Sequence, residues 1–560
     1  MLKLYHMNWK ILNKPKKEIL ENKEIIEIIL ENRGLKTKEA VGEFLNPADP
    51  EEFKAKDLGI DEAEVKQAIK RIKRAIDEKE DILVYGDYDA DGICATAILW
   101  ETLFKLTKKV LPYIPQRFSE GYGFNKDSIQ RIKEENPNLK LIIAVDHGIT
   151  GNEKICFAKE LGVDVIVCDH HQVGKEKPLC EAVVHTTQVC AAAISWFMAK
   201  EICLAFETKR KKSEHLDLVA IASVADLEPL VGVNRSFVKF GLSALNKTDR
   251  LGILSILEEA GIEKGSIGTY EIGFIIAPRI NAMGRMEHAL ESLRLLCTTN
   301  PIKAKELAQK LGLTNKERQE LTEETTHHAK NLFLEEYKER LPKLILISHE
   351  TYQEGVIGLA AGKLTEEFYR PSIVIAKGEV YSKASARSVS GFNIIEAIRA
   401  SSEYLVEAGG HPMAAGFTVE TVKIEEFKRR ILEEAEKQIT DDILEKSLKI
   451  DLKLPLGLIN LGLWKEISKL APFGLGNPEP VFASEAVVKD KRKVGSTGKH
   501  LKMILGFDKA GFVEGIGFNL GEKAEEITLG DKIEIAFSVT LNEWNGNKKI
   551  EVKIKDIRKI

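Results

Sequence analysis

A short apolar run, Ile82-Leu83-Val84-Tyr85, stops at Gly86, and aspartates follow at positions 87, 89 and 91 before Gly92. Three carboxylates this close repel one another unless a cation sits among them. Carboxylate oxygens are the ligands that Mg²⁺ prefers, and they suit Mn²⁺ as well. A solvated turn at a strand end can carry the same letters. So can an EF-hand loop, but the position that needs its bidentate Glu is Ile98, and the residues before Asp87 read as a strand rather than a helix. A metal site at a strand end is the reading that remains.

The run belongs to a series. Val110 to Pro112, Leu141-Ile142-Ile143-Ala144-Val145 and Val163-Asp164-Val165-Ile166-Val167-Cys168 follow it, with helix-length stretches between them. Residues 63–79 place Val65, Ala68, Ile69, Ile72 and Ile76 on one helical face, and a further helix spans about Ile93 to Phe104. Apolar strands alternating with helices predict a parallel α/β sheet. Ligands of such sheets lie beyond the carboxyl ends of the strands. Asp87, Asp89 and Asp91 stand at one such end, Asp146 at a second, and Asp169-His170-His171 at a third. That common position favours a metal centre over an ordinary acidic turn.

The rest of the chain divides by texture. At 560 residues it exceeds the roughly 250–300 at which single cores stop growing. We expect an N-terminal helical region over 1–50, the α/β domain over 51–240 and a helical connector over 241–340. A second α/β domain follows over 341–447, then a small β-barrel of OB-fold type over 448–560 with a hairpin turn at Asn545-Gly546. In the connector, Ile302 to Arg340 reads as one long charged helix, with His327 and His328 on its solvated face. The net charge of −4 excludes a uniformly basic protein but leaves room for a local basic groove. Seven cysteines without Cys-x-x-Cys spacing argue against a zinc ribbon or disulfide framework and for a reducing, cytoplasmic setting. No apolar run approaches the ~18–20 residues that span a bilayer, and no signal peptide is expected.

Four stretches, Gly86-Asp87-Tyr88-Asp89-Ala90-Asp91-Gly92, Val145-Asp146, Asp169-His170-His171 and Ser223-Val224-Ala225-Asp226, resemble in order the four motifs of the DHH phosphoesterases. Further landmarks resemble the family's single-strand-specific DNA exonucleases: Tyr113-Ile114-Pro115-Gln116-Arg117, Pro278-Arg279-Ile280-Asn281-Ala282, Ser385-Ala386-Arg387-Ser388, Gly409-Gly410-His411 and Pro472-Phe473-Gly474-Leu475-Gly476-Asn477-Pro478. The chain departs from the pattern at His147, where relatives commonly carry a smaller residue. It departs again at Val184-His185-Thr186, which replaces an Asn-Pro, in a shortened segment after the DHH motif.

The resemblance implies a parallel-sheet DHH domain, a helical connector, a second α/β DHH-associated domain and a C-terminal OB-fold-like barrel. It implies a metal-dependent exonuclease that degrades single-stranded DNA from 5′ to 3′ into 5′ mononucleotides, in recombination and repair. Two Mn²⁺ or Mg²⁺ ions would be held by Asp87, Asp89, Asp91, Asp146, His170 and Asp226, with Asp146 as the bridge and a catalytic ligand. Asp169 would orient His170 or its loop. His171 would contact the scissile phosphate or protonate the leaving oxygen. Arg387, Ser385 and Arg117 would clamp the terminal 5′-phosphate. Tyr122 would stack on a base, Arg279 would hold a backbone phosphate, and His411 would stand where the substrate backbone comes close. In the barrel, Lys489, Lys491, Arg492, Lys493, Lys499, His500 and Lys502 would join Trp544 on the strand. The partners implied are single-stranded DNA, a helicase and single-strand binding protein, with the chain a monomer and no membrane involved.

Overall fold

The computed structural model describes residues 7–13, 21–121, 123–174, 176–338, 341–507, 511–544 and 547–560. Tyr122 and the side chain of Trp544 lie outside the described residues. The chain forms two units: Trp9–Ala277 with Ser292–Lys305 and Leu448–Ile560, and Met1–Asn8 with Pro278–Glu291 and Glu306–Ser447.

The larger unit is built on five strands: β1 (Asp81–Tyr85), β2 (Val110–Tyr113), β3 (Leu139–Val145), β4 (Asp164–Asp169) and β5 (Ala182–His185). They lie in the order β2-β1-β3-β4-β5, and every pairing is parallel. The apolar runs are continuous because the sheet is buried on both faces: Leu83, Tyr85, Ile142, Ala144, Val165 and Val167 share one core with Ile129, Ile132 and Ile155, and the alternate residues Ile82, Val84, Ile143 and Ile166 are buried as well. Helix α1 (Ala90–Leu106) follows β1 directly; helices α2 (Ala191–Ala205) and α3 (Leu216–Ala225) follow the sheet. Both glycines around the aspartates are needed for this packing. A Cβ on Gly86 would stand 1.9 Å from Thr96 Oγ1, and one on Gly92 would stand 2.7 Å from the Asp87 amide nitrogen.

The same unit carries the barrel. Strands Phe482–Val494, His500–Phe507, Gly511–Gly517, Asn547–Lys559 and Lys532–Trp544 are hydrogen-bonded in that order, and the last pairs back on the first. Two features differ from the sequence reading. Asn8–Asn13 is a strand at the edge of this sheet rather than helix. Helix Asn22–Asn32 is not a separate module either: Ile25, Ile29 and Leu30 are buried with Leu452, Phe482 and Phe537 in the barrel's core.

In the smaller unit the sheet order is Leu405–His411, Ala414–Glu420, Tyr381–Arg387, Ser372–Ala376 and Ile345–His349, and only the last two strands are parallel to each other. Ile373 and Ile375 pack with Phe427 and Ile431 on one face, and Val374 packs with Ile357 and Ala361 on the other. That alternation is the two-residue period of a sheet covered by helices on both sides. Helix Pro301–Glu336 is 36 residues long, as its charge pattern suggested. His328 does not lie on a purely solvated face: its Nδ1 is 3.0 Å from the Tyr352 hydroxyl, and its ring packs against His349 with centroids 4.6 Å apart.

Candidate functional site

The strand ends supply the site. Asp89 caps helix α1, its Oδ1 accepting from the amides of Asp91 at 3.0 Å and Gly92 at 3.1 Å. Aspartate at a helix N-terminus is favoured by the unpaired amides and the helix dipole. Asp91 lies in the first turn, and its carboxylate accepts from the first amides of α2, Ala191 at 2.8 Å and Ala192 at 2.7 Å. Asp146 ends β3 in the left-handed region, with φ +68. Asp and Asn tolerate that conformation better than other residues with a Cβ. Asp226 caps the C-terminus of α3.

These residues converge. Asp146, His170 and His171 form one group whose candidate ligand atoms all lie within 4.8 Å of one another; Asp91, His170 and Asp226 form a second, and Asp87, Asp89 and Asp146 a third. Asp146 and His170 each belong to two groups. His170 Nε2 is 3.2 Å from Asp146 Oδ1 and 3.7 Å from both Asp91 Oδ2 and Asp226 Oδ2.

The electrostatics fit a cation site. Burial pushes the Asp87 and Asp146 carboxyls well above the usual carboxylate range, and neighbouring aspartates push them further. Burial, then Asp91, raises Asp226 to about 8. Burial works against the His170 cation, yet Asp146 and Glu228 outweigh it and lift the imidazole to about 12. A single imidazolium is too little positive charge for five convergent aspartates. Asp87 Oδ1 is buried and accepts no hydrogen bond among the described residues. A buried acceptor left in that state is costly, and hard divalent cations coordinate such oxygens.

Asp169 orients the loop, as one of its two expected roles had it, and the His171 ring rather than the His170 ring. Its Oδ1 is 2.8 Å from His171 Nδ1 and accepts from the amides of His170 and His171, while Oδ2 accepts from Ile149. These partners hold its carboxyl below the usual range despite burial. Behind His170 Nδ1 stands instead Glu228, with Oε1 at 3.6 Å. Sequence reasoning passed over Glu228; a carboxylate two positions beyond the expected ligand Asp226 was the available signal. His147, the departure noted above, is buried under Phe124 and Tyr85, with Nε2 3.0 Å from the Tyr85 carbonyl, and burial lowers it to about 4.

The other expected residues fall in two places. Arg117 belongs to the metal-bearing unit, its guanidinium 5.2 Å from the Tyr88 ring centroid. Arg279, Ser385, Arg387 and His411 belong to the smaller unit. Arg387 Nη1 donates to Ser385 Oγ at 3.1 Å, and His411 and Arg387 both pair with Ala414 across adjacent strands. The Gly409-Gly410-His411 stretch is therefore the end of a strand, not a free turn.

In the barrel the basic cluster lies on strands except for Lys499, which stands between two of them, and part of it is committed internally. Lys491 caps the carbonyls of Ala524 and Ile527, Lys493 pairs with Glu525, and Lys502 pairs with Glu514. Lys489, Arg492 and Lys499 are exposed. An aromatic that the sequence reading missed, Phe518, is 51 % exposed between His500 and Lys553. Tyr270 and Phe274 were missed as well; they are exposed and stacked at 4.8 Å.

Three family models match: the DHH family N-terminal domain over residues 81–223, the DHHA1 domain over 341–441, and the RecJ OB domain over 450–556. The single-stranded-DNA-specific exonuclease RecJ of Bacillus subtilis is 35% identical over 98% of this chain and 70% of its own length. The protein of that name from Thermus thermophilus is 32% identical over 88% of this chain and 71% of its own. The crystal structure of Thermus thermophilus RecJ with Mn²⁺ superposes with a TM-score of 0.82 at 28% identity, over 99% of this chain and 80% of that one. The Mg²⁺ complex gives 0.75 at 27% identity, over 99% of this chain and 79% of that one.

Proposed function

We infer the reaction from one premise: the chain belongs to the RecJ family of single-stranded-DNA-specific exonucleases. It is a metal-dependent exonuclease that hydrolyses single-stranded DNA, and we assign it the 5′→3′ direction and 5′ mononucleotide products. The reading is carried by the convergence of seven side chains, from four distant stretches, on groups that share Asp146 and His170.

Asp87, Asp89, Asp91, Asp146, His170 and Asp226 are the residues we assign to two Mn²⁺ or Mg²⁺ ions. When bound, the pair supplies Lewis acidity at the phosphodiester and lowers the pKa of attacking water. The protein's own part is preorganisation. Asp91 is fixed by two α2 amides and Asp89 by two α1 amides, so neither carboxylate has to reorient. His171 directs Nδ1 at Asp169, which leaves Nε2 as the atom that hands a proton to the departing 3′ oxygen. That arrangement of base and orienting carboxylate recurs among general acid–base histidines.

We assign Ser385 and Arg387, with Arg117, to the terminal 5′-phosphate, and His411 to the substrate backbone. Arg279, Tyr122 and Trp544 are assigned to the strand that follows. A guanidinium fork beside a hydroxyl suits a phosphate dianion. The clamp has its own test in Gly358→Ala. A Cβ there would stand 2.8 Å from Ser385 Oγ and 3.1 Å from Arg387 Nη2, so the pair must shift. Hydrogen bonds to charged groups contribute about 1.5–3 kcal/mol. The preference for 5′-phosphorylated over 5′-hydroxyl strands, measured as a ratio of kcat/KM, should therefore fall about ten- to a hundredfold. Arg387→Ala should match it. Equal losses on both substrates would remove the clamp assignment.

A nuclease confined to single strands depends on an activity that separates duplexes. We therefore propose a helicase and single-strand binding protein as its working partners in recombination and repair, with the chain a cytoplasmic monomer. Among the described residues no helix is long and apolar enough to cross a membrane. Polarity is tested with strands labelled at either end and digested with Mn²⁺. Nucleotides should leave stepwise from the 5′ end while blunt duplex resists; first release from the 3′ end would overturn the direction.

A further inference from the structure

We propose that Glu228 is a positioning residue for His170. Its carboxylate takes the imidazole's Nδ1–H and thereby presents the Nε2 lone pair to the metal centre. The proposal rests on the reading of that centre as a divalent-cation site.

The two nitrogens of His170 face different surroundings. Nε2 looks toward Asp146, Asp91 and Asp226, at 3.2, 3.7 and 3.7 Å. Nδ1 has Glu228 Oε1 at 3.6 Å. A neutral imidazole donates from one nitrogen and accepts with the other. If the hydrogen sat on Nε2, the three aspartates would compete for it and the ring would offer no lone pair to a cation. A carboxylate behind Nδ1 selects the other tautomer. The 3.6 Å separation exceeds a hydrogen bond, and a ring movement of about half an ångström closes it.

Glu228 is held for this task. Its Oε2 accepts from Asn234 Nδ2 at 3.2 Å, and that same Nδ2 donates to the Gln188 carbonyl at 2.9 Å. The Glu228 amide donates to the Ser223 carbonyl at 2.9 Å. Between Asp226 and Glu228 the chain turns through Leu227 at φ +59, a left-handed conformation that costs a residue with a Cβ roughly 1–2 kcal/mol. Leu227 is 70 % exposed, so its side chain gains little packing in return. The turn closes α3 in a Schellman cap, the Leu227 amide on the Val224 carbonyl and the Glu228 amide on the Ser223 carbonyl, and it sets Asp226 on the Nε2 side of His170 and Glu228 on the Nδ1 side. Asp169, the residue expected to orient His170 or its loop, holds the loop amides and the His171 ring.

Metal-bound histidines usually donate their second N–H to a carboxylate or carbonyl, and losing that partner weakens metal affinity about 10–100-fold. The test is Mn²⁺ binding to the full chain, measured by titration calorimetry and by the free-Mn²⁺ EPR signal, for wild type, Glu228→Val and Glu228→Gln. Glu228→Val should bind at least one ion about 10–100-fold more weakly. Glu228→Gln, whose side-chain oxygen accepts the same hydrogen, should lie near wild type. The Val variant's hydrolysis rate should recover as Mn²⁺ is raised, and its single-strand binding in EDTA should match wild type. Unchanged Mn²⁺ affinity in Glu228→Val overturns the proposal. Equal weakening in the Val and Gln variants also overturns it, because charge alone would then be responsible. Should Glu228→Val fail to fold, Asn234→Ala frees the carboxylate without removing it; a smaller weakening supports the role and no change refutes it. A wild-type chain that binds no Mn²⁺ would instead overturn the reading of the metal centre.

Discussion

Asp146→Ala should lower kcat for strand hydrolysis by at least about 10³-fold, while single-strand binding measured in EDTA stays within a few-fold of wild type. The size follows from its place. Asp146 belongs to two of the three candidate ligand groups and is the residue we assign to both ions, so its loss disturbs the whole centre. Metal-ion catalysis supplies several kcal/mol of charge stabilisation, and each 1.36 kcal/mol is about a tenfold change in rate. The backbone at Asp146 is left-handed, and Ala is less at home there than Asp. Asp146→Asn therefore accompanies it: Asn tolerates the same conformation and keeps the shape, but brings no charge. Both variants should lose hydrolysis alike, and the Asn variant should keep the thermal transition of the wild type. An Asn variant within tenfold of wild-type kcat would show that Asp146 is not the shared ligand.

The candidate ligand set could be gathered from the sequence because parallel-sheet topology brings its members together. Asp87, Asp146 and His170 are far apart in sequence, but each follows a buried parallel strand, so all three stand at the same end of the sheet. Orientation within the set was not legible. Nothing in Asp169-His170-His171 says that the aspartate bends toward the second histidine; that depends on where the amides of His170, His171 and Ile149 point. Glu228 depends on a left-handed turn at Leu227 that no letter announces. The barrel was legible where its strands alternate and obscured where they do not. Lys489-Asp490-Lys491-Arg492-Lys493 continues strand Phe482–Val494, but its charged residues hide the two-residue period and read as a loop. The N-terminal helix shows the spacing of Ile25 and Ile29, which marks an apolar face without naming its partner. That partner, the core around Phe482 and Phe537, lies more than 450 residues away in sequence.

Arg250→Met should destabilise the metal-bearing unit by about 3–5 kcal/mol, the usual cost of removing one partner from a buried ion pair. Arg250 is the hub of a cluster remote from the metal centre. It donates Nη1 to Glu101 Oε1 at 2.7 Å and Nη2 to Glu101 Oε2 at 3.0 Å, and it also donates to the Leu296 carbonyl and to His215 Nδ1. Its Nε is 3.7 Å from Asp217 Oδ2. Glu101 lies on α1, ten residues after Asp91, or roughly 15 Å along the axis. His215 and Asp217 open α3, which ends at Asp226. The guanidinium thus ties together the far ends of two helices whose near ends carry the candidate ligands Asp91 and Asp226. Met keeps much of the volume and leaves Glu101 and Asp217 buried without their cation. At roughly 2.1 cal/mol/K per residue a unit of this size loses about 1.2 °C per kcal/mol, so Tm should fall by about 4–6 °C. The loss should depend on pH. Burial first, then the charge of Arg250, with Lys105 and Arg210 behind it, holds His215 well below its usual pKa. In the wild type the unfolded chain alone takes that proton below about pH 6.5, so the contribution of neutral His215 is complete above that pH and declines as pH falls. Without Arg250 the imidazolium, with Nδ1 3.5 Å from Glu101 Oε2, replaces part of the missing charge and gains stability as pH falls. The Tm gap between wild type and Arg250→Met should therefore narrow from pH 8 to pH 5.5; a gap that stays constant or widens would show that Arg250 acts through packing rather than charge.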